Sequence, residues 1–295
     1  MIRKIKWNNH TYFKDNYGVD KDDVLFYELK GGFLIDDGDE EAGAIAIKEL
    51  EDYINYQDFS QYEVYKNFIT NMIDEDSFID MFIAELYASN WDFVGNYNNL
   101  KMWRTSKVDE SNPYADGKWR FCLHDVDFAF TENRNFLDKD TANSYTLFKM
   151  FDSLLRQPEF RTKFYNRAVY LIKNNLSVDY ASKVLSQMVE EVMPYKKDAM
   201  IRWGKNEDAY NEWLNEVDRT YQYFEDKNLI VIMMESTNNI LINENHNVNT
   251  ASVGYKYYIP IGVDLIYDSD FNKELLDSIA GYLGGRVAEE LTFNE

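Results

Sequence analysis

Lys118-Trp119-Arg120-Phe121-Cys122-Leu123-His124-Asp125-Val126-Asp127-Phe128-Ala129-Phe130 carries more chemistry than any other run of this chain. Lys118 to His124 reads as an apolar strand, and it feeds directly into Asp125-x-Asp127. Side chains alternate along a strand, so positions i and i+2 are expected on one side. Two carboxylates placed together repel unless a cation lies between them, and hard oxygen ligands suit magnesium, manganese or calcium. Working back, the turn-rich Asp109 to Gly117 joins this strand to another, Leu100 to Arg104, as a hairpin with a long loop. Before the hairpin stands Asn90-Trp91-Asp92-Phe93-Val94-Gly95-Asn96-Tyr97-Asn98-Asn99. Before that, Ile79, Phe82, Ile83, Leu86 and Tyr87 recur at helical spacing, with Ser77 and Asp80 as a capping-box-like start.

An aspartate followed by asparagines, then two strands, then an acidic pair and a phenylalanine is the order used by protein kinases. In that order Asp92 offers a base, Asn96, Asn98 and Asn99 offer amide oxygens, and Asp127-Phe128 closes the set. More specifically, residues 61–227 resemble the spore coat protein H (CotH) kinase family. The resemblance rests on Phe78-Ile79-Asp80 through Glu85-Leu86-Tyr87, Asn90-Trp91-Asp92-x-x-Gly95-Asn96-Tyr97-Asn98-Asn99, Lys118-Trp119-Arg120-Phe121 and Asp125-Val126-Asp127-Phe128-Ala129-Phe130. It continues in Leu154-Leu155-x-x-Pro158-Glu159-Phe160-Arg161. The resemblance implies an atypical kinase-like fold that transfers phosphate from ATP, with Mg2+ or Mn2+, to protein serine or threonine. It implies Asp92 as catalytic base, Asn96 or Asn98 and Asn99 as cofactor and metal ligands, and Asp125 and Asp127 as metal-binding acids, with the main ligand of the pair left open. Phe130-Thr131 stands where the family usually has a glycine.

Upstream there is no Gly-x-Gly-x-x-Gly and no Gly-x-x-x-x-Gly-Lys-Ser/Thr, and Lys30-Gly31-Gly32 is the nearest remnant of a phosphate grip. The chain is therefore expected to begin inside the family's domain and, alone, to have little or no kinase activity. The rival reading is a non-catalytic spore-coat or cell-surface assembly protein that keeps the lobe for binding. The expected fold is α+β and mostly helical: a remnant region over 1–60, a helical lobe over 61–227 with a hairpin at the active site, and a small unrelated α/β tail over 228–295. Within it, Ile45, Leu50 and Ile54 are expected on one helix face, and Tyr65, Phe68, Ile69 and Met72 on another. Leu147, Met150, Phe151, Leu154 and Leu155 make a third stripe, Pro158 opens a helix, Ser177 caps one, and Trp213, Val217, Tyr221 and Phe224 line the last. In the tail, Leu229 to Met234 and Tyr255 to Ile261 read as strands. Gly254-Tyr255-x-Tyr257-Tyr258-Ile259-Pro260 and Leu275 to Leu291 resemble part of the FtsH zinc-protease peptidase domain, without its His-Glu-x-x-His.

Composition bounds the partners. The 295 residues carry a formal charge of −21, so phosphodiester backbones are repelled at long range and nucleic acid is not expected. With 45% hydrophobic residues the chain can bury a substantial core. The single cysteine, Cys122, excludes an internal disulfide and reads as a small buried hydrophobe. Three scattered histidines give no zinc set. Asp37-Gly38-Asp39-Glu40 begins like a calcium loop, but Lys48 holds the position of the bidentate glutamate. No apolar run approaches the roughly 20 residues of a membrane span. The basic start, Met1 to Lys6, leads into Trp7-Asn8-Asn9 rather than an apolar stretch, so no signal peptide is expected. A protein substrate of the coat or cell surface is the partner the family implies.

Overall fold

The computed structural model describes residues 11–30, 33–94, 98–130, 146–226, 230–236 and 255–261. Asn96, most of the FtsH-like tail, the loop over 131–143 and the Gly31-Gly32 turn lie outside them. The fold is mixed α+β and mostly helical, and the chain divides into two compact units, taken separately below.

The first unit is built on a four-stranded antiparallel sheet ordered β2-β1-β3-β4. Its strands are β1 (Val24–Lys30), β2 (Phe33–Asp37), β3 (Asn98–Thr105) and β4 (Arg120–Leu123). The expected β3–β4 hairpin forms, with Leu100 opposite Leu123 and Trp103 opposite Arg120. The β1–β2 pair joins it because β1 runs antiparallel to β3 from Val24–Thr105 to Lys30–Asn98. A short helix, α1 (Tyr12–Tyr17), packs Phe13 on Phe26 and Trp103.

Helix α2 (Glu40–Tyr56) starts where Asp39 accepts the Ala42 N–H, an N-cap that satisfies one orphan donor. Its buried stripe is Gly43, Ala46, Leu50 and Ile54. Ile45, expected on that face, is exposed, because a five-residue step turns 500° and leaves the stripe that four-residue steps keep. Gly43 lets the helix approach the sheet closely: a Cβ there would stand 2.5 Å from the Tyr27 hydroxyl and 2.8 Å from Ile35 Cδ1. Helix α3 (Tyr62–Asn71) buries Tyr65 and Phe68.

Helix α4 (Glu75–Ala88) begins earlier than the Ser77-x-x-Asp80 signal suggested, since Asp74 is the N-cap and accepts the Ser77 N–H at 3.0 Å. Beyond the expected stripe, Phe78, Met81, Glu85 and Ala88 are also buried, so it is apolar nearly all round, as a central helix must be. Phe82 stacks on Phe151 of α6 (Thr146–Leu154) at 4.1 Å, and its edge meets Phe93 and Phe148. Phe78 meets Phe121 of β4 at 5.1 Å. Burial of each such ring contributes about 1.5–3 kcal/mol. Trp119 and Trp103 are core residues, as Trp91 at the surface is not. Trp119 exchanges backbone bonds with Met72 and Asp74, which ties the entry of β4 to the start of α4.

Helix α7 (Pro158–Lys173) opens with proline at its first position, where the missing N–H costs nothing. In the second unit, Ser177 caps α8 (Val178–Arg202) by accepting the Tyr180 N–H, and α9 (Glu207–Asp226) follows. Phe130 packs edge-on to Tyr223 and Phe224 of α9. Strands β5 (Ile230–Ser236) and β6 (Tyr255–Ile261) pair antiparallel with each other. No helix among the described residues is long and apolar enough to cross a membrane.

Candidate functional site

Helix α4 ends where Ser89 adopts a left-handed φ of 49°. The chain then turns through Asn90 into a single helical turn, α5 (Trp91–Val94), which carries Asp92. β3 starts with an irregularity: the register against β1 shifts between Leu29 and Lys30, opposite Asn98 to Leu100. Asn99 sits there with φ 60°, a conformation asparagine tolerates better than most residues. Antiparallel pairing then does the rest. Because Leu100 faces Leu123, the first residues of β3 meet the residues just after β4.

The contact is made by one amide. Asn99 Nδ2 donates to Asp92 Oδ2 at 3.0 Å and to the Asp125 carbonyl at 3.1 Å. Asn99 is buried, Asp92 is half-buried, and Asp125 and Asp127 are exposed. The Trp91 N–H donates to the Phe128 carbonyl, a second tie between the Asp92 turn and the acidic segment. Asn98, the neighbouring asparagine, has a buried Oδ1 without a hydrogen-bond partner among the described residues. Asn96 lies outside the described residues.

Asp125 and Asp127 do not lie on the strand as expected. β4 ends at Leu123, Asp125 takes a left-handed φ of 52°, and Asp127 lies in a turn. The two carboxylates therefore do not owe their placement to pleat alternation. What links Asp92 to this segment is the hairpin register and the Asn99 amide, which bonds the Asp92 carboxylate and the Asp125 backbone carbonyl.

Two features of this region escaped the sequence. On β3, Lys101 is buried and bonded to Asp36 at 2.8 Å and Glu28 at 3.0 Å. Its acids come from β1 and β2, so no local spacing marks it. His124 adjoins this group: burial, then the Lys101 charge, holds its imidazole below the usual range against the opposing pull of Glu28, Asp125 and Asp36. The other feature is Glu85, fully buried in α4. Burial pushes its carboxyl up to about 8, and the Asn90 amide beside it draws it only partly back. Its signal was present in the sequence, since Glu85, seven residues after Phe78 and three after Phe82, interrupts the apolar face those two share.

Among the described residues, no group of three or more His, Cys, Asp or Glu side chains is placed to hold a metal ion. A metal that shares its coordination with phosphate draws on fewer carboxylates, and amide oxygens and water complete it. Asp125, Asp127 and Asn98 Oδ1 are hard oxygen donors, the ligand chemistry that suits Mg2+ or Mn2+.

Neither the curated proteins nor the solved structures gave a significant match to the chain. Residues 35–230 match the family model described as CotH kinase protein.

Proposed function

The chain belongs to the CotH kinase protein family, and we propose that it is an ATP- and divalent-metal-dependent phosphotransferase acting on serine or threonine hydroxyls of proteins. The observation that carries this reading is the single amide of Asn99, which joins Asp92 to Asp125 at the mouth of the β3–β4 hairpin. Helix, base-bearing turn, hairpin and acidic exit follow one another as in the C-terminal lobe of a kinase, which supports that lobe as the architecture of the first unit.

Phosphoryl transfer asks little covalent chemistry of a protein; it asks for position and charge neutralisation. Bound Mg2+ or Mn2+ with ATP would supply the electrophilic phosphoryl group and offset its charge. Asp125 and Asp127, with Asn98, would hold the metal through oxygen. Asp92 would accept the hydroxyl proton, and the Asn99 amide keeps that carboxylate in one orientation. In a chain of net charge −21 the metal is also what makes a polyphosphate tolerable.

Thermal unfolding of the full chain tests the reading. ATP together with Mn2+ should raise Tm, by mass action on the folded state, and neither alone should match it. Asp125→Asn combined with Asp127→Asn should lose most of that rise. No rise in the wild-type chain would overturn the reading and favour a non-catalytic assembly role.

A further inference from the structure

Just before the turn that carries Asp92 stands a buried polar pair that the phosphotransfer reading does not use. Glu85 and Asn90 are both fully buried, as is Ser89 between them apart from a trace of surface. The Asn90 N–H bonds the Glu85 carbonyl at 3.4 Å, so the pair spans the left-handed exit of α4. Among the described residues, neither carboxyl oxygen of Glu85 and neither polar atom of the Asn90 amide has a hydrogen-bond partner of normal geometry, although the two groups adjoin. Buried polar atoms left in this state are costly, and native structures keep few of them.

The chemistry of the two groups resolves the cost. A carboxylic acid and a primary amide can each donate and accept, so face to face they satisfy one another. A carboxylate can only accept, and it would leave both the Asn90 oxygen and a buried charge unanswered. We propose that protonated Glu85 and Asn90 form a neutral latch that positions the Asp92 turn, and that ionisation of Glu85 releases the turn. Glu85 and Asn90 are positioning residues, and their bearing on proton acceptance by Asp92 rests on the phosphotransfer reading above.

Among the described residues, none offers Glu85 a counter-charge. On α4, Glu75 accepts from Tyr65. On β4, Arg120 is engaged by Asp116 and Asp74. On α6, Asp152 pairs with Arg156, and neither it nor Lys149 acts on the Glu85 carboxyl. Asp92 in the turn is held by Asn99, and His124 beyond β4 answers to Lys101, Glu28, Asp36 and Asp125. Burial, then Asn90, is what sets the ionisation of Glu85.

The sign of the pH effect follows. With the carboxyl raised to about 8 in the closed turn and ordinary when the turn opens, the closed state binds the extra proton between those values. Closure is therefore strongest in acid and weakens as pH rises, by about tenfold per unit, until it levels off above the raised value. The test is hydrogen exchange of the Trp91, Asp92 and Phe93 amides in the full chain from pH 5 to 9.5, expressed as protection factors to remove the intrinsic base catalysis. The wild-type factors should fall roughly 100-fold between pH 5 and 7 and flatten above about 8. Glu85→Gln, a neutral isostere, should remove that slope and hold the turn closed at every pH. A flat wild-type profile overturns the latch, whether or not the variant folds, and so does an unchanged slope in Glu85→Gln. A parallel Mn·ATP titration at pH 6.5 separates the two ideas. Binding with an unchanged slope refutes the latch alone, whereas the expected slope without binding upholds the latch and refutes the phosphotransfer reading.

Discussion

Replacing Asn99 by alanine should cost about 2–4 kcal/mol of stability, and the sum comes from three separable effects. The amide bond to the Asp92 carboxylate at 3.0 Å is charge-assisted and worth roughly 1.5–3 kcal/mol. Its bond to the Asp125 carbonyl at 3.1 Å adds about 0.5–1.5 kcal/mol. At φ 60°, alanine also meets a left-handed penalty of roughly 1–2 kcal/mol that asparagine largely escapes. Water reaching the half-buried Asp92 returns part of the first contribution, which sets the total below the simple sum. Urea unfolding followed by intrinsic fluorescence reads the change, and Asn99→Gly divides it. Glycine restores backbone freedom but not the hydrogen bonds, so it should recover about 1 kcal/mol relative to alanine. Asn99→Asp places a second carboxylate against Asp92 and should be worse than alanine without metal. If alanine and glycine both lie within about 0.5 kcal/mol of wild type, Asn99 does not hold the site together and the reasoning fails.

Gly43→Ala pits helix propensity against space. Alanine gains about 1 kcal/mol in a helix, but its Cβ would stand 2.5 Å from the Tyr27 hydroxyl and 2.8 Å from Ile35. A net loss of about 1–2 kcal/mol by urea denaturation is expected, since overpacking costs roughly 1–3 kcal/mol, and a net gain would show that α2 can move off the sheet. Arg120→Met should cost about 2–3 kcal/mol at neutral pH, because it strands Asp116 and Asp74, both partly solvated. Burial alone would raise Asp116, but the Arg120 bonds and charge win and hold it below the ordinary range. That contribution is present above the ordinary aspartate range and disappears as pH falls through the depressed value, so the gap between wild type and Arg120→Met should narrow in acid. An Arg120→Met deficit that is unchanged down to pH 2 would contradict the assignment.

The helical scaffold was legible because burial imposes a period on the sequence. The stripe of Leu147, Met150, Phe151, Leu154 and Leu155 is buried throughout, and Pro158 and Ser177 stand where helices α7 and α8 begin. Where the period was counted loosely it misled, as at Ile45, which is exposed while Ala46 is buried. The meeting of Asp92 with the acidic segment was legible in outline, since an antiparallel hairpin must bring its entry and exit together. Which asparagine makes the contact was not, because Asn98 and Asn99 differ by a left-handed bulge that no periodicity records. The ion pairs of Lys101 depend on strand neighbours far away in the chain, and pairing between distant strands leaves no local trace. Glu85 was the reverse: a charged residue on an apolar helix face, visible in the sequence and chemically meaningful only once its burial was known.

Calorimetric titration of Mn·ATP into the full chain and into Asp127→Asn, Asp125→Asn and Asp92→Asn tests the central claim most directly. The account predicts saturable one-site binding to the wild-type chain. It predicts at least a tenfold loss, about 1.4 kcal/mol, when the main metal-binding acid of the Asp125 and Asp127 pair is neutralised. Asp92→Asn, which removes a proton acceptor and not a metal ligand, should bind nearly as well as wild type. Equal affinity across wild type and both acidic-pair variants, or no binding to the wild-type chain, would contradict it.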